Sequence, residues 1–198
     1  MPRVSASTKA EHRERLLSAA AAEFAAKGLD GARVDDISVA AGLAKGTIYN
    51  YFDSKADVFR AVIEAWSSRT EEVRGEIDDE APVEDQLRSI LEADMQVTGE
   101  IEEFARTAFR EVLTASPEEL ADLLPSWDPV DAEIQRVVEN AQAAGELRSD
   151  RSSIELTRFL LSLTNGMLLE HWFPDSDLTL EEIPELVLDY YLDGARTR

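Results

Sequence analysis

The chain has 198 residues, of which 44% are hydrophobic and none is cysteine, and its net charge is −21. This length allows one domain or two small ones with a buried core, and the hydrophobic content is that of a folded chain. Without cysteine, disulfides, thiolate metal sites and cysteine nucleophiles are excluded. The N-terminus is polar and no apolar run approaches a membrane span, so the sequence predicts a cytoplasmic protein without a membrane segment.

Charge is unevenly distributed along the chain. Residues 1–60 carry nine Lys and Arg against eight Asp and Glu, whereas residues 61–198 hold a net charge of −22 and no lysine. This asymmetry favours a DNA-facing N-terminal module on an acidic body. The acidity is typical of adaptation to a salt-rich cytoplasm, with an ordinary solvated surface as the alternative. Because lysines are few, we expect a salt slope of DNA affinity shallower than about −10.

Three helices are predicted in the N-terminal part. Thr8 with Glu11 has the form of a capping box and predicts the start of the first helix, and Gly28 predicts its end. Apolar residues at helical spacing then predict a helix over residues 34–41 and a second short one over residues 45–51. Together they form a three-helix arrangement with a tight turn between its last two members.

A longer fourth helix follows. Ser54 with Asp57 predicts its start and Gly75 its end, and the acid-, glycine- and proline-containing residues 75–82 are typical of a linker. No strand-like alternation follows, so the sequence predicts an all-α fold with about nine helices. The remaining helices are predicted to begin near residues 83, 101, 117, 129, 152 and 179.

The turn between the two short helices carries the most specific motif. Gly42 supplies a position that accepts positive φ, and Ile48 packs back on the preceding helix, leaving polar and aromatic side chains outside. Such a face suits a helix in a DNA major groove. The stretch from Ala41 to Phe59, which contains Lys-Gly-Thr-Ile-Tyr-Asn-Tyr-Phe, resembles the helix-turn-helix signature of TetR-type transcriptional regulators.

The resemblance implies two domains with different functions. Residues 1–53, or to about residue 69 with the fourth helix, would form the DNA-binding domain, and residues 70–198 a helical effector-binding and dimerisation domain. It further implies a homodimer, by default a repressor, that binds a palindromic double-stranded operator. A largely apolar small molecule would release it, without a cofactor or an enzymatic activity.

Seven residues are candidates for DNA contact. Thr47 combines a hydroxyl with a methyl group and suits a base edge or a thymine methyl. Tyr49 and Tyr51 suit phosphates or base edges, and Lys55 resembles the phosphate-contacting lysine of the family. The full set is Arg33, Lys45, Gly46, Thr47, Tyr49, Tyr51 and Lys55.

Two positions depart from the family pattern. Arg33 stands where a Thr or Ser often caps the second helix; it cannot cap through a hydroxyl, although its guanidinium suits a phosphate. Ala44 stands where a hydroxyl is frequent and removes another cap. The phosphate contacts of this chain are therefore expected to differ from those of its relatives.

Two further sets of residues are candidates in the body. The penultimate helix is apolar on more than one face, which indicates either a central core helix or one packed on a second chain, and the resemblance favours the second. The predicted dimer interface comprises Phe159, Leu163, Met167, Trp172, Val187, Tyr190 and Tyr191. Candidates for lining an effector pocket, each with plain core packing as the alternative, are Trp66, Met95, Phe104, Phe109, Trp127 and Met167.

Other functional classes find little support. An all-α enzyme would need a constellation of catalytic groups, yet His12 and His171 are the only histidines and no phosphate-binding glycine loop is present. Glu170 and His171 near Glu181 and Glu182 are the one conceivable metal site, and we predict none. A helical interaction module without DNA binding would leave residues 45–55 without a role.

Overall fold

A computed structural model describes residues 6–123 and 129–196, with side chains from 7 to 120 and from 131 to 196. These residues form nine α-helices and no strand, apart from one β-bridge between Leu147 and Arg196, so the all-α prediction is confirmed. The helices are α1 (Ala6–Gly31), α2 (Val34–Ala40), α3 (Lys55–Arg74), α4 (Val83–Glu100), α5 (Glu102–Thr114), α6 (Pro117–Leu123), α7 (Pro129–Ala144), α8 (Ser153–His171) and α9 (Ile183–Ala195).

Most helix ends follow the predicted capping signals. The Ser54 hydroxyl accepts a hydrogen bond from the Asp57 N–H at 3.0 Å, and α3 ends before Gly75. Ser152 and Glu155 form a reciprocal capping box, in which the Ser152 backbone N–H and then its hydroxyl hold the pKa of Glu155 below its usual value. These ends are set locally, which is why the sequence alone predicts them.

Two predicted features of the N-terminal part are wrong. The chain is already helical at Ala6, so Thr8 lies inside α1 and does not cap it. The helix predicted over residues 45–51 is a single 3-10 turn, Thr47–Asn50, because Gly46 precedes it with a left-handed backbone, φ 82°. A residue in that conformation cannot belong to a right-handed helix, so the helical segment begins at Thr47, two residues later than predicted, and is short.

Residues 1–66 and 101–126 form one compact unit of the chain, which we call the first unit. Its core is built around three aromatic rings, one from each of α1, α3 and α5. Phe24 and Phe59 meet edge to face with ring centroids 5.2 Å apart, and Phe104 lies 5.4 Å from Phe59 and 6.4 Å from Phe24. All three rings are buried, so α5 is part of the core that supports α1 and α3.

Helix α5 also stabilises a break in α1. Gly28 has φ 70° and ψ 175°, which interrupts the helical geometry at the predicted position, and the helix resumes briefly to Gly31. The Glu111 carboxylate accepts a hydrogen bond from the Leu29 N–H at 3.3 Å. An N–H left without its helical partner at the break is therefore satisfied by a side chain of α5.

Residues 67–100 and 127–198 form the second unit. Its buried core takes apolar side chains from α4, α7, α8 and α9, among them Leu87, Ile134, Leu160 and Leu188. Arg74 is nearly buried, and its guanidinium donates to the Glu133 carboxylate at 2.6 Å. The two opposite charges therefore compensate each other within this unit. Helix α3 contributes its first residues to the first unit and its last to the second.

Candidate nucleic-acid interface

The turn that joins α2 to the 3-10 segment is a Schellman motif. The Gly42 N–H donates to the Val39 carbonyl and the Leu43 N–H to the Ser38 carbonyl, both at 2.9 Å. Gly42 has φ 70°, and the Arg15 guanidinium donates to the carbonyl of Ala41 beside it. The backbone conformation requires glycine here, and a Cβ at position 42 would lie 2.6 Å from Arg15 Nη2 and displace that guanidinium.

Replacing Gly42 by alanine is therefore expected to destabilise the protein by about 1–2 kcal/mol, because alanine resists the left-handed backbone and displaces Arg15. Urea unfolding measures the change. Gly31→Ala is the matched control, since Gly31 lies in α1 without a positive φ and its Cβ would meet only the Lys27 Cβ at 3.4 Å. Equal effects of the two changes would contradict the argument.

The 3-10 segment is fixed to α2 by one buried hydrogen bond. The Ile48 N–H donates to the Ser38 hydroxyl at 3.2 Å, and both residues are fully buried. Ile48 fills the core as predicted. Ser38 was missed by sequence reasoning, and the available signal is a polar residue beside Ile37 on the buried face of a seven-residue helix.

The outer side of this segment presents the predicted contact residues. The Tyr49 side chain is 58% exposed and Thr47 is half-buried, so both are accessible to a partner. Lys45 is exposed, with its ammonium 3.4 Å from the Asp35 carboxylate. Gly46, between them, has open space around it, since a Cβ there would meet nothing within 4 Å. The residues around 45–49 therefore form a small polar and aromatic surface on a fixed backbone.

Tyr51 occupies a different position from Tyr49. It is half-buried, and its hydroxyl lies 3.2 Å from His12 Nδ1 on α1. The Lys9 ammonium stands over the Tyr51 ring, 5.9 Å from its centroid. Tyr51 therefore joins the 3-10 segment to the first turns of α1.

Lys55 and Arg33 lie at the ends of neighbouring helices. The Lys55 ammonium donates to the carbonyls of Asp30 and Ala32, at 3.0 and 3.4 Å, and so caps the end of α1. Arg33 is exposed at the start of α2, where its side chain makes no capping bond, as its chemistry predicts. Sequence reasoning assigned Lys55 to phosphate and missed this structural role.

The candidate pocket residues are divided between the two units. Trp66, Phe104 and Phe109 belong to the first unit, and the Phe104 ring is engaged by Phe24 and Phe59. Met95 is buried and Met167 half-buried in the second unit. Trp127 lies outside the described residues. Their role as a pocket lining stays a prediction.

The candidate interface residues are partly exposed and partly buried. Phe159 is 56% exposed and Tyr190 71% exposed, while Leu163, Met167 and Trp172 are half-buried. Val187 and Tyr191 are buried within the chain itself, and this burial raises the pKa of the Tyr191 hydroxyl. These two side chains are therefore not available to a second chain. They had been predicted in the interface because they lie on an apolar helix.

Neither a metal cluster nor a membrane helix is present in the described part of the chain. No group of three or more His, Asp or Glu there could hold a metal ion. His171 Nδ1 lies 2.6 Å from the Leu178 carbonyl, which can only accept, so the imidazole donates its proton to the backbone. No described helix is long and apolar enough to cross a bilayer.

Comparison with known proteins places this geometry in a family. Residues 16–62 match the family model "Bacterial regulatory proteins, tetR family", and residues 80–195 match "Tetracyclin repressor-like, C-terminal domain". The chain is 26% identical over 204 residues to the HTH-type transcriptional repressor KstR2 of Rhodococcus jostii, covering 95% of this chain and 93% of that protein. It is 24% identical over 172 residues to the HTH-type transcriptional repressor BepR of Brucella suis, covering 81% and 80%.

Solved structures share the fold. The fatty acid degradation regulator FadR of Bacillus halodurans aligns with a TM-score of 0.79 at 19% identity, covering 92% of this chain and 99% of that one. A TetR-family regulator from Rhodococcus sp. aligns with a TM-score of 0.75 at 21% identity, covering 95% and 100%. Both family models match, and the helix-turn-helix turn of residues 42–50, which we call the reading turn, is in place. The chain therefore belongs to the TetR family and is a DNA-binding transcriptional regulator, not an enzyme.

Proposed function

We propose that the chain is a homodimeric, ligand-responsive repressor that binds a roughly palindromic operator. The observation that carries the DNA-binding part is the accessible pair Thr47 and Tyr49 on a backbone fixed by the Ser38–Ile48 hydrogen bond. A rigid backbone presents side chains to base edges in one register, which is what sequence discrimination needs. The repressor sense is supported by relatives such as KstR2 and BepR, which are described as repressors.

The test of this function uses the DNA immediately upstream of the chain's own gene. We expect a retarded band in a gel shift, competed by an excess of the same unlabelled duplex and not by an unrelated duplex of equal length. Equal competition by both would contradict sequence-specific binding, since phosphate attraction alone does not distinguish sequences.

The proposed dimer interface lies on α8 and α9. Phe159 on α8 and Tyr190 on α9 are large apolar side chains exposed to solvent, and Phe173, just after α8, is exposed as well. Several exposed aromatic residues on adjacent elements are typical of a surface that a partner covers. A second copy of the chain would place two reading turns on successive major grooves, about 34 Å apart or somewhat more.

Charge placed in this surface is expected to dissociate the dimer. Phe159→Glu and Tyr190→Glu should each yield a monomer in light scattering, because each change would bury an unpaired carboxylate twice in a two-fold interface. Leu113→Glu is the control, since Leu113 is 67% exposed on α5 of the first unit. Persistence of a dimer in both variants would remove α8 and α9 from the interface.

The proposed effector binds in the second unit and acts through α3. The core of that unit is built from apolar side chains, which favours a largely apolar ligand. Helix α3 carries core residues of the first unit, such as Phe59, and continues into the second unit. A ligand that binds one arrangement of the second unit more tightly would therefore shift the positions of the reading turns through this helix.

A further inference from the structure

The first turns of α1 carry a group of basic side chains that no predicted contact includes. Lys9, His12 and Arg13 are spaced three and four residues apart and so share one face of the helix. This face lies against Tyr51 and Phe52. The Lys9 ammonium is 5.9 Å from the Tyr51 ring centroid, and the Arg13 guanidinium is 5.7 Å from the Phe52 ring centroid.

The three other lysines are engaged differently. Lys27 pairs with Glu23 and Asp36, Lys45 with Asp35, and Lys55 donates to backbone carbonyls. Lys9, by contrast, is exposed and rests on an aromatic face. An ammonium has three N–H donors, so those that do not point at the ring are available to an anion.

We propose that Lys9 and Arg13 bind a DNA backbone phosphate beside the Tyr51 hydroxyl, and that His12 is a positioning residue that holds this hydroxyl in place. The inference rests on the proposed DNA binding through the turn around Thr47. Tyr51 then contacts the backbone, whereas Tyr49 is left to read bases. Because a phosphate contact is independent of sequence, this site fixes the register of the reading turn on the duplex.

The charge contribution is tested on a duplex that the wild-type protein selects from a random-sequence pool. Fluorescence anisotropy at several salt concentrations gives the slope of log affinity against log salt. Lys9→Gln and Arg13→Gln should each make the slope shallower, and the two changes together by about 0.9 for every bound protomer, because both cations bind the same phosphate. Arg106→Gln, an equal loss of charge at an exposed position of α5, should leave the slope unchanged. If Lys9→Gln and Arg13→Gln had the same salt slope as wild type and Arg106→Gln, the proposal would be overturned.

The phosphate itself is identified by replacing single phosphates of that duplex with neutral methylphosphonates. The wild-type protein should lose affinity, by a larger factor at low salt than at high salt, at one phosphate for each half-site. The combined Lys9→Gln, Arg13→Gln variant should be insensitive to that same replacement and keep its sensitivity elsewhere. A variant that remains as sensitive as wild type at every phosphate would overturn the contact.

The positioning role of His12 is tested by a double-mutant cycle with Tyr51. His12→Phe and Tyr51→Phe should each weaken binding, and the double variant should be no weaker than Tyr51→Phe alone, because His12 acts only through the Tyr51 hydroxyl. His12→Phe should also lose part of the sensitivity at the phosphate identified above, since Lys9 and Arg13 remain, while its thermal midpoint stays at the wild-type value. Simple additivity of the two changes would overturn the positioning role.

Failure of this site and failure of the proposed function give different results. If no duplex is selected by the wild-type protein, sequence-specific binding itself is wrong. If duplexes are selected and Thr47→Ala weakens binding, while the α1 variants change neither slope nor phosphate sensitivity, the α1 site alone is wrong.

Discussion

Replacing Thr47 and Tyr49 together by alanine is expected to abolish the gel shift with the upstream DNA, while the helical circular dichroism signal and the oligomeric state should remain those of wild type. The reason is that both side chains are accessible and neither fills the core, whereas Ile48 between them is fully buried. Each lost base contact costs about 1–3 kcal/mol of discrimination, and the proposed dimer would lose two sets of contacts. Affinity should therefore fall by more than about a thousandfold.

A paired control separates this effect from general damage. Ser18→Ala with Leu113→Ala changes two exposed positions of the first unit, on α1 and α5, and should leave the gel shift unchanged. If the Thr47, Tyr49 double variant still binds with wild-type affinity, the residues around 45–51 are not the reading segment.

The second large effect concerns stability. Phe59→Ala should lower the free energy of unfolding by about 3–5 kcal/mol, because the ring is fully buried between Phe24 and Phe104 and the cavity cannot close completely. Since domains are stable by about 5–15 kcal/mol, the first unit would be close to unfolding. Urea denaturation followed by circular dichroism measures the change.

Phe59→Leu keeps most of the volume and should cost less than the alanine change, which keeps the comparison measurable if the alanine variant does not fold. Leu113→Ala, at an exposed position of α5, should change the free energy of unfolding by no more than about 0.5 kcal/mol. A Phe59→Ala cost as small as that of Leu113→Ala would show that the three rings do not form the core of the unit.

Sequence reasoning was most successful where structure is determined locally. The capping box at Ser152 and the glycine after α3 depend on residues within four positions, and the helix ends match them. The capping box at Thr179 is also present, although it opens a 3-10 turn, Leu180–Glu182, and α9 follows from Ile183. The exception is Thr8, where a cap-like pattern lies inside α1. A capping pair has the same amino-acid sequence whether it lies within a helix or at its start. Only the conformation of the preceding backbone distinguishes the two positions.

The interface was predicted less completely because its details depend on distant residues. That Lys55 reaches the carbonyls of Asp30 and Ala32, about 25 positions earlier, follows from how α1 and α3 pack and not from spacing. The contact of His12 with Tyr51 spans 39 positions in the same way. Burial of Val187 and Tyr191 likewise depends on which neighbouring helix covers α9. An apolar stripe indicates that a helix face is covered, but it does not identify the element that covers it.

The hydrogen bond from Ile48 to Ser38 has a thermodynamic consequence for operator binding. A single 3-10 turn is too short to be stable alone, and its order comes from α2 through this bond and the Ile48 side chain. The reading segment is thus ordered before DNA arrives, and association loses little conformational entropy there. Calorimetry of operator binding should accordingly show a heat-capacity change set by the contact area, without the larger negative value of a segment that folds on binding.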